Sequence, residues 1–220
     1  MEKIEKATLD FISGLQKNND REWFNNNRGL YDAARMNFES FIQALIESIS
    51  GFEPILKGLE AKSCIYRINR DTRFSNDKSP YKTNFGALIV RGGRKNGDKF
   101  AGYYIHVEPG KSMIAGGAYM PPSPWLASIR EKITEHPQVI KEILDEKDFR
   151  KYFKELEGEK LKKAPKGFPP DHPEIELLKF KSYLAVNEIS DNQVIDGGYL
   201  DYVVKNIRAM KPLNDFLNDI

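Results

Sequence analysis

The chain has 220 residues, 40% of them hydrophobic, enough for one large domain or two small ones with a buried core. Its 34 basic and 32 acidic residues leave a net charge of +2, which argues against a disordered tail and against wholesale nucleic-acid binding by a chain coated in basic charge. A single cysteine, Cys64, excludes an intrachain disulfide and fits a reducing, cytoplasmic setting.

The opening Met-Glu-Lys-Ile-Glu-Lys lacks the apolar core of a signal peptide, and the longest apolar run, around residues 87–90, is too short for a bilayer span. No membrane role is expected. Thr8 reads as the cap of a first short helix with Leu9, Phe11, Ile12 and Leu15 inward, ending near Asn18 and Asn19; Asp20 caps again. Apolar residues then recur every three or four positions from Tyr31 to Ile49, predicting a long helix over residues 27–50 stopped by Gly51. After the punctuation of Pro54 and Gly58, alternation predicts a strand over residues 64–69, with Arg67 and Asn69 on the face opposite a core-facing Tyr66.

Residues 75–80 are dense in turn formers, and an interior strand follows over residues 83–91, apolar on both faces. Residues 92–98 read as a loose hairpin; Asp98 stands where a phosphate-binding loop needs lysine, so that motif is rejected. A strand over residues 102–108 sets Tyr103, Ile105 and Val107 inward and Tyr104, His106 and Glu108 together on the polar side. Pro109-Gly110 is a turn whose favoured type II geometry fits a tight two-residue hairpin poorly, leaving the next register open. That next strand, residues 112–120, carries Gly116 and Gly117, which would leave space for a close backbone or a ligand.

Ser123 and Pro124 start a helix, with two shorter ones over residues 137–144 and 148–156. Residues 158–170 read as a long ordered loop rather than a linker, and Asp171 with Glu174 resembles a capped helix start. A last strand over residues 182–186, a short helix from Ser190 or Asp191, and a terminal amphipathic helix kinked or restarted at Pro212 complete the chain. The expected architecture is a single α+β domain, a mainly antiparallel sheet from the middle of the chain packed against N- and C-terminal helices.

The stretch 66–84 concentrates charge: Arg67, Arg70, Arg73, Lys78 and Lys82 against Asp71 and Asp77, among the aromatic anchors Tyr66, Phe74 and Tyr81. Its strings Arg70-Asp71-Thr72-Arg73-Phe74-Ser75 and Asp77-Lys78-Ser79-Pro80-Tyr81-Lys82-Thr83, with His106-Val107-Glu108-Pro109-Gly110, Ala164-Pro165-Lys166-Gly167-Phe168-Pro169, Asp171-His172-Pro173 and Lys181-Ser182-Tyr183, resemble a widespread microbial family of domains of unknown function. The resemblance covers nearly the whole chain. It implies one full-length domain and supplies neither an agreed activity nor catalytic residues.

Read from the residues, Arg67, Arg70, Arg73, Lys78, Lys82 and Tyr104 are candidates to bind a small anionic ligand bearing phosphate or carboxylate, with His106 as candidate base and Glu108 as its orienting carboxylate. A plainer account has Arg70, Asp71, Arg73 and Asp77 pair with one another and brace the loop, leaving a protein-interaction domain with a structural charged motif. A further alternative is a nucleic-acid module gripping phosphates with the loop and with Arg91, Arg94, Lys95 and Lys99. No cofactor is named by the sequence. A metal site would need His172 or Asp171 to join His106 and Glu108, and His172 is better explained by a helix start, so none is expected. Nucleophile-elbow, reactive-cysteine and dinucleotide patterns lose support.

Overall fold

A computed structural model describes residues 2–220. The long helix is the centre of the core: α3 (Arg28–Ile49) follows α1 (Lys6–Lys17) and α2 (Arg21–Asn26), and its Phe38, Phe41, Ile42, Leu45 and Ile49 are fully buried. Spacing of three and four puts these side chains on one stripe, and hiding each from water contributes roughly 1.5–3 kcal/mol. Asp20 caps α2 as expected, accepting a 2.8 Å bond from the backbone N–H of Trp23. Thr8 does not cap α1. It lies buried inside the helix and donates to Asn37 Oδ1 at 2.8 Å, tying α1 to α3.

After α4 (Ala61–Cys64), four strands form an antiparallel sheet in sequence order: β1 (Phe85–Ile89), β2 (Gly102–Val107), β3 (Ser112–Ala118) and β4 (Tyr183–Ile189). Phe85, Ala87, Tyr103, Ile105, Ile114 and Ala185 are buried on the face that meets the helices. Phe38 of α3 stacks on Phe85 at 5.5 Å, and Phe41 stacks at 5.4 Å on Tyr199 of the terminal helix. Between β3 and β4 come α5 (Ser123–Glu135), α6 (Pro137–Asp145), α7 (Lys147–Phe153) and α8 (Ile175–Leu178); α9 (Asp191–Val194) and α10 (Tyr199–Asn218) follow β4. The architecture is α+β, as the patterning predicts.

Several local expectations are corrected. Cys64 ends α4 instead of opening a strand, and residues 65–70 form no regular strand. They run antiparallel to residues 80–87 in two registers: Tyr66 N–H donates to the Gly86 carbonyl, whereas Lys82 N–H donates to Ile68 and Arg70 N–H to Pro80. The pairing slips because Arg67 alone stands opposite Thr83, Asn84 and Phe85, an enlarged bulge that breaks the ladder. Residues 71–79 close this irregular hairpin.

Neither Gly116 nor Gly117 leaves room for a ligand. A Cβ at Gly116 would fall 2.1 Å from Met210 Sδ of α10, and one at Gly117 would fall 2.0 Å from the Tyr183 carbonyl oxygen. Pro109-Gly110 does close the tight hairpin between β2 and β3, with Gly110 at φ 74° and Lys111 N–H donating to the Glu108 carbonyl. Glu174 turns away from Asp171 and its carboxylate meets Lys141 at 2.5 Å, so no capping box forms. Pro212 sits inside α10 without restarting it; the proline is exposed, where water can satisfy the carbonyl it frees. No helix among the described residues is long and apolar enough to cross a membrane.

Candidate functional site

The outer face of β2 carries Tyr104 and His106, and Glu108, the first residue after the strand, continues the same two-residue period. They form one hydrogen-bonded line. Tyr104 Oη lies 3.0 Å from His106 Nδ1, and His106 Nε2 lies 3.0 Å from Glu108 Oε2. Gly86, opposite His106 in the register, makes the first bond sterically feasible: a Cβ there would stand 2.6 Å from the Tyr104 oxygen.

The bulge supplies the next ring of contacts. Thr83 donates to Glu108 Oε1 at 2.8 Å, Gln16 of α1 donates to the same oxygen at 3.3 Å, and Asn84 Nδ2 donates to His106 Nδ1 at 3.3 Å. Burial alone would raise the Glu108 carboxyl, but the hydrogen bonds from His106, Thr83 and Gln16 together bring it below the ordinary carboxylate range. Glu108 is therefore ionised at neutral pH and accepts from its neighbours. Burial, with Tyr66 and Glu108 close by, pushes the Tyr104 phenol up to about 12, so it stays protonated.

Beside this line lies a set of cations grouped about Tyr66. Lys82 Nζ sits 5.1 Å and the Arg94 guanidinium 5.9 Å from the centroid of the Tyr66 ring, which itself meets Tyr104 edge-on at 6.3 Å. Burial lowers the Lys82 ammonium below its ordinary value, and the charges of Arg67 and Arg94 lower it further. None of these three cations forms an ion pair among the described residues, in contrast to Arg70 with Asp77 and Arg73 with Asp71. Arg94 is held by its bond to the Ser63 carbonyl at 3.1 Å, and the preceding Gly92 and Gly93 adopt φ of 74° and 87° that turn the loop back over the sheet.

The charged loop divides into two parts. Its far end braces itself: Arg73 pairs with Asp71 at 2.7 Å, Lys78 donates to the Thr72 carbonyl at 3.0 Å, and Asp77 accepts from Ser79 and Arg70. Those Ser79 bonds, and Arg70 after them, hold the Asp77 carboxyl far below its usual range. The near end is fastened by Asn19, which exchanges two bonds with the Tyr81 backbone, and by Tyr81 stacked at 4.0 Å on Phe24. A cleft of about 380 Å³ opens there, lined by Gln16, Arg70, Lys82, Thr83 and Asn84. A larger groove of about 580 Å³ between α6, α7 and α10 holds no comparable line of bonded titratable groups.

The structure thus brings Tyr104, His106 and Glu108 together, with Lys82 joined to them through the Tyr66 ring; Lys82 and Arg70 both line the cleft, as do Thr83, Asn84 and Gln16 that bond to the line, and exposed Arg67 lies near Lys82. Arg73 and Lys78 make their bonds within the loop. Tyr66, expected in the core, shares the outer face with Tyr104, while Thr83 was marked only as the end of a family string, and Asn84 and Gln16 by no motif. His172 takes part in a turn, its Nδ1 accepting from Glu174 N–H at 3.0 Å, and the described residues hold no group of three metal-ligating side chains.

Fold and site define an α+β protein with a polar, cation-flanked cleft at one end of an antiparallel sheet. The chain matches the conserved hypothetical protein family DUF2461 over residues 7–216 and belongs to it. No curated protein and no solved structure matches it.

Proposed function

We propose that the protein binds a small anionic ligand, bearing phosphate or carboxylate, beside the Tyr104–His106–Glu108 line, and that this line moves a proton in the bound ligand. The observation that carries the reading is Lys82: an ammonium half-buried over the Tyr66 ring, with no carboxylate paired to it among the described residues, whose pKa is lowered first by burial and then by the charges of Arg67 and Arg94. Like charges crowded without a carboxylate cost stability, and an incoming anion would remove that cost. Three cations suit a dianion such as a phosphate monoester. A reducing, cytoplasmic setting belongs to the same reading, supported by a lone cysteine that is fully buried.

The bonds of Arg70, Arg73 and Lys78 inside the loop support a bracing role for those residues, with the ligand met by Lys82, Arg94 and Arg67 instead. The nucleic-acid reading keeps the support of exposed Lys95 and Lys99, but Arg94, assigned to that grip, is folded onto Tyr66. Calorimetric titration with inorganic phosphate, pyrophosphate and citrate tests the proposal. Binding should weaken about 10- to 100-fold in Lys82→Met, as expected for loss of a charged hydrogen bond. Absence of binding by all three anions at low salt would refute it.

A further inference from the structure

Resting on that reading, we infer that Tyr104 is the group of this line that meets the ligand, with His106 as the proton store behind it, and that the ligand carries a hydroxyl beside its anionic group. The argument is one of donors and acceptors. Glu108 is a carboxylate and only accepts, so His106 Nε2 must carry a proton to bond to it at 3.0 Å. The neutral imidazole then has its lone pair on Nδ1, where Tyr104 and Asn84 both donate, at 3.0 and 3.3 Å.

Both nitrogens of His106 are occupied, and its side chain is only 13% exposed. It therefore offers a ligand no free polar atom. The phenol proton of Tyr104 is committed to Nδ1, which leaves the lone pairs of the phenol oxygen as the free end of the line. Those lone pairs accept a hydrogen bond, so the complementary ligand group is a donor, and an anion alone would not provide one. A phosphorylated or carboxylated alcohol does.

The proton balance is simple. The ligand's O–H proton passes to Tyr104 Oη as the phenol's own proton passes to His106 Nδ1, leaving an alkoxide on the ligand and an imidazolium beside Glu108. Tyr104 remains a phenol before and after, so its high pKa is no obstacle to the relay. The nearby cations of Lys82 and Arg94 stabilise the extra negative charge on the ligand. This is the logic of an oriented base behind a hydroxyl, with tyrosine as the terminal group.

Two measurements on the full chain test the inference. In ¹⁵N-labelled protein, long-range imidazole spectra, with His106 assigned by its loss in His106→Gln, should show the neutral Nε2–H tautomer at neutral pH. An Nδ1–H tautomer or an imidazolium would overturn the relay. In binding titrations, glycerol 3-phosphate should bind about 3- to 10-fold tighter than propyl phosphate, which has the same charged group but no hydroxyl. Tyr104→Phe should bind the two probes equally. Binding of both probes without preference in the unmodified protein, or a preference that survives Tyr104→Phe, overturns the role of Tyr104 while leaving anion binding in place. Binding of neither overturns both.

Discussion

Thr83 and Glu108 are joined by a 2.8 Å hydrogen bond across 25 residues of sequence, and this bond fastens the bulge of the irregular hairpin to the end of β2. Thr83→Val removes the donor while keeping the shape, and it should destabilise the protein by roughly 0.5–1.5 kcal/mol at pH 7. Glu108 has a lowered pKa in the fold, so its contribution to stability is present above the unfolded value of about 4.3 and is lost as pH falls through the folded one. The gap between the two proteins should therefore narrow in acid. Urea unfolding at pH 7 and pH 3.5 measures it, and a gap that widens in acid contradicts this account of Glu108.

Lys82 should show opposite effects on stability and binding. Lys82→Met removes a cation that burial, and after it the charges of Arg67 and Arg94, disfavour, so its unfolding temperature should rise while phosphate affinity falls. The pH dependence has a definite sign. Because the folded ammonium loses its proton below the unfolded value, the unfolded chain binds more protons in between, and stability from this group rises with pH there. Lys82→Met should lack that rise. A lowered unfolding temperature in neutral buffer would show that the ammonium is a structural partner.

Arg73→Ala should leave both unfolding temperature and phosphate affinity unchanged. Its partner Asp71 and the adjoining Phe74, 96% exposed, are its contacts, all of them on the loop. A clear fall in affinity in the same titration would return Arg73 to the site.

Gly86→Ala is the matching test of space. The added methyl would meet the Tyr104 oxygen at 2.6 Å, and overpacking of this kind costs on the order of 1–3 kcal/mol. The folded variant should keep its affinity for inorganic phosphate and lose the preference for glycerol 3-phosphate. Retention of that preference, with a circular dichroism spectrum like that of the parent, would mean that the phenol does not need its present position.

The central helix offers the simplest check on the fold. Leu45 is fully buried on the stripe of α3, so Leu45→Ala should lower stability by about 2–5 kcal/mol, and an unchanged thermal midpoint would contradict the packing.

The stripe of α3 was legible because burial on one side of a helix imposes a period on the residues themselves, and the same holds for Tyr104, His106 and Glu108 on one side of β2. That logic presumes an unbroken ladder. It assigns Tyr66 to the core and Arg67 to the polar face, because nothing in the order of residues announces that Arg67 faces a bulge of three. Thr83 and Asn84 look like ordinary polar residues at a strand start for the same reason. Arg94 reads as one more cation of a basic turn; its place over Tyr66 depends on where two positive-φ glycines send the chain, a tertiary outcome. Gly86 did carry a usable signal, since glycine in a strand marks a close approach, here that of a phenol.

Cys64 gives the molecule a built-in clock. The thiol is fully buried where α4 joins the irregular hairpin, burial pushes its pKa up, and the neighbouring Ser63 carbonyl is the one that holds Arg94. An alkylating reagent reaches the sulfur only during openings that lift this junction, so the labelling rate of a single atom counts those openings directly. A ligand that draws Arg94 and Lys82 together would slow the clock, and one bound elsewhere on the surface would leave its rate unchanged.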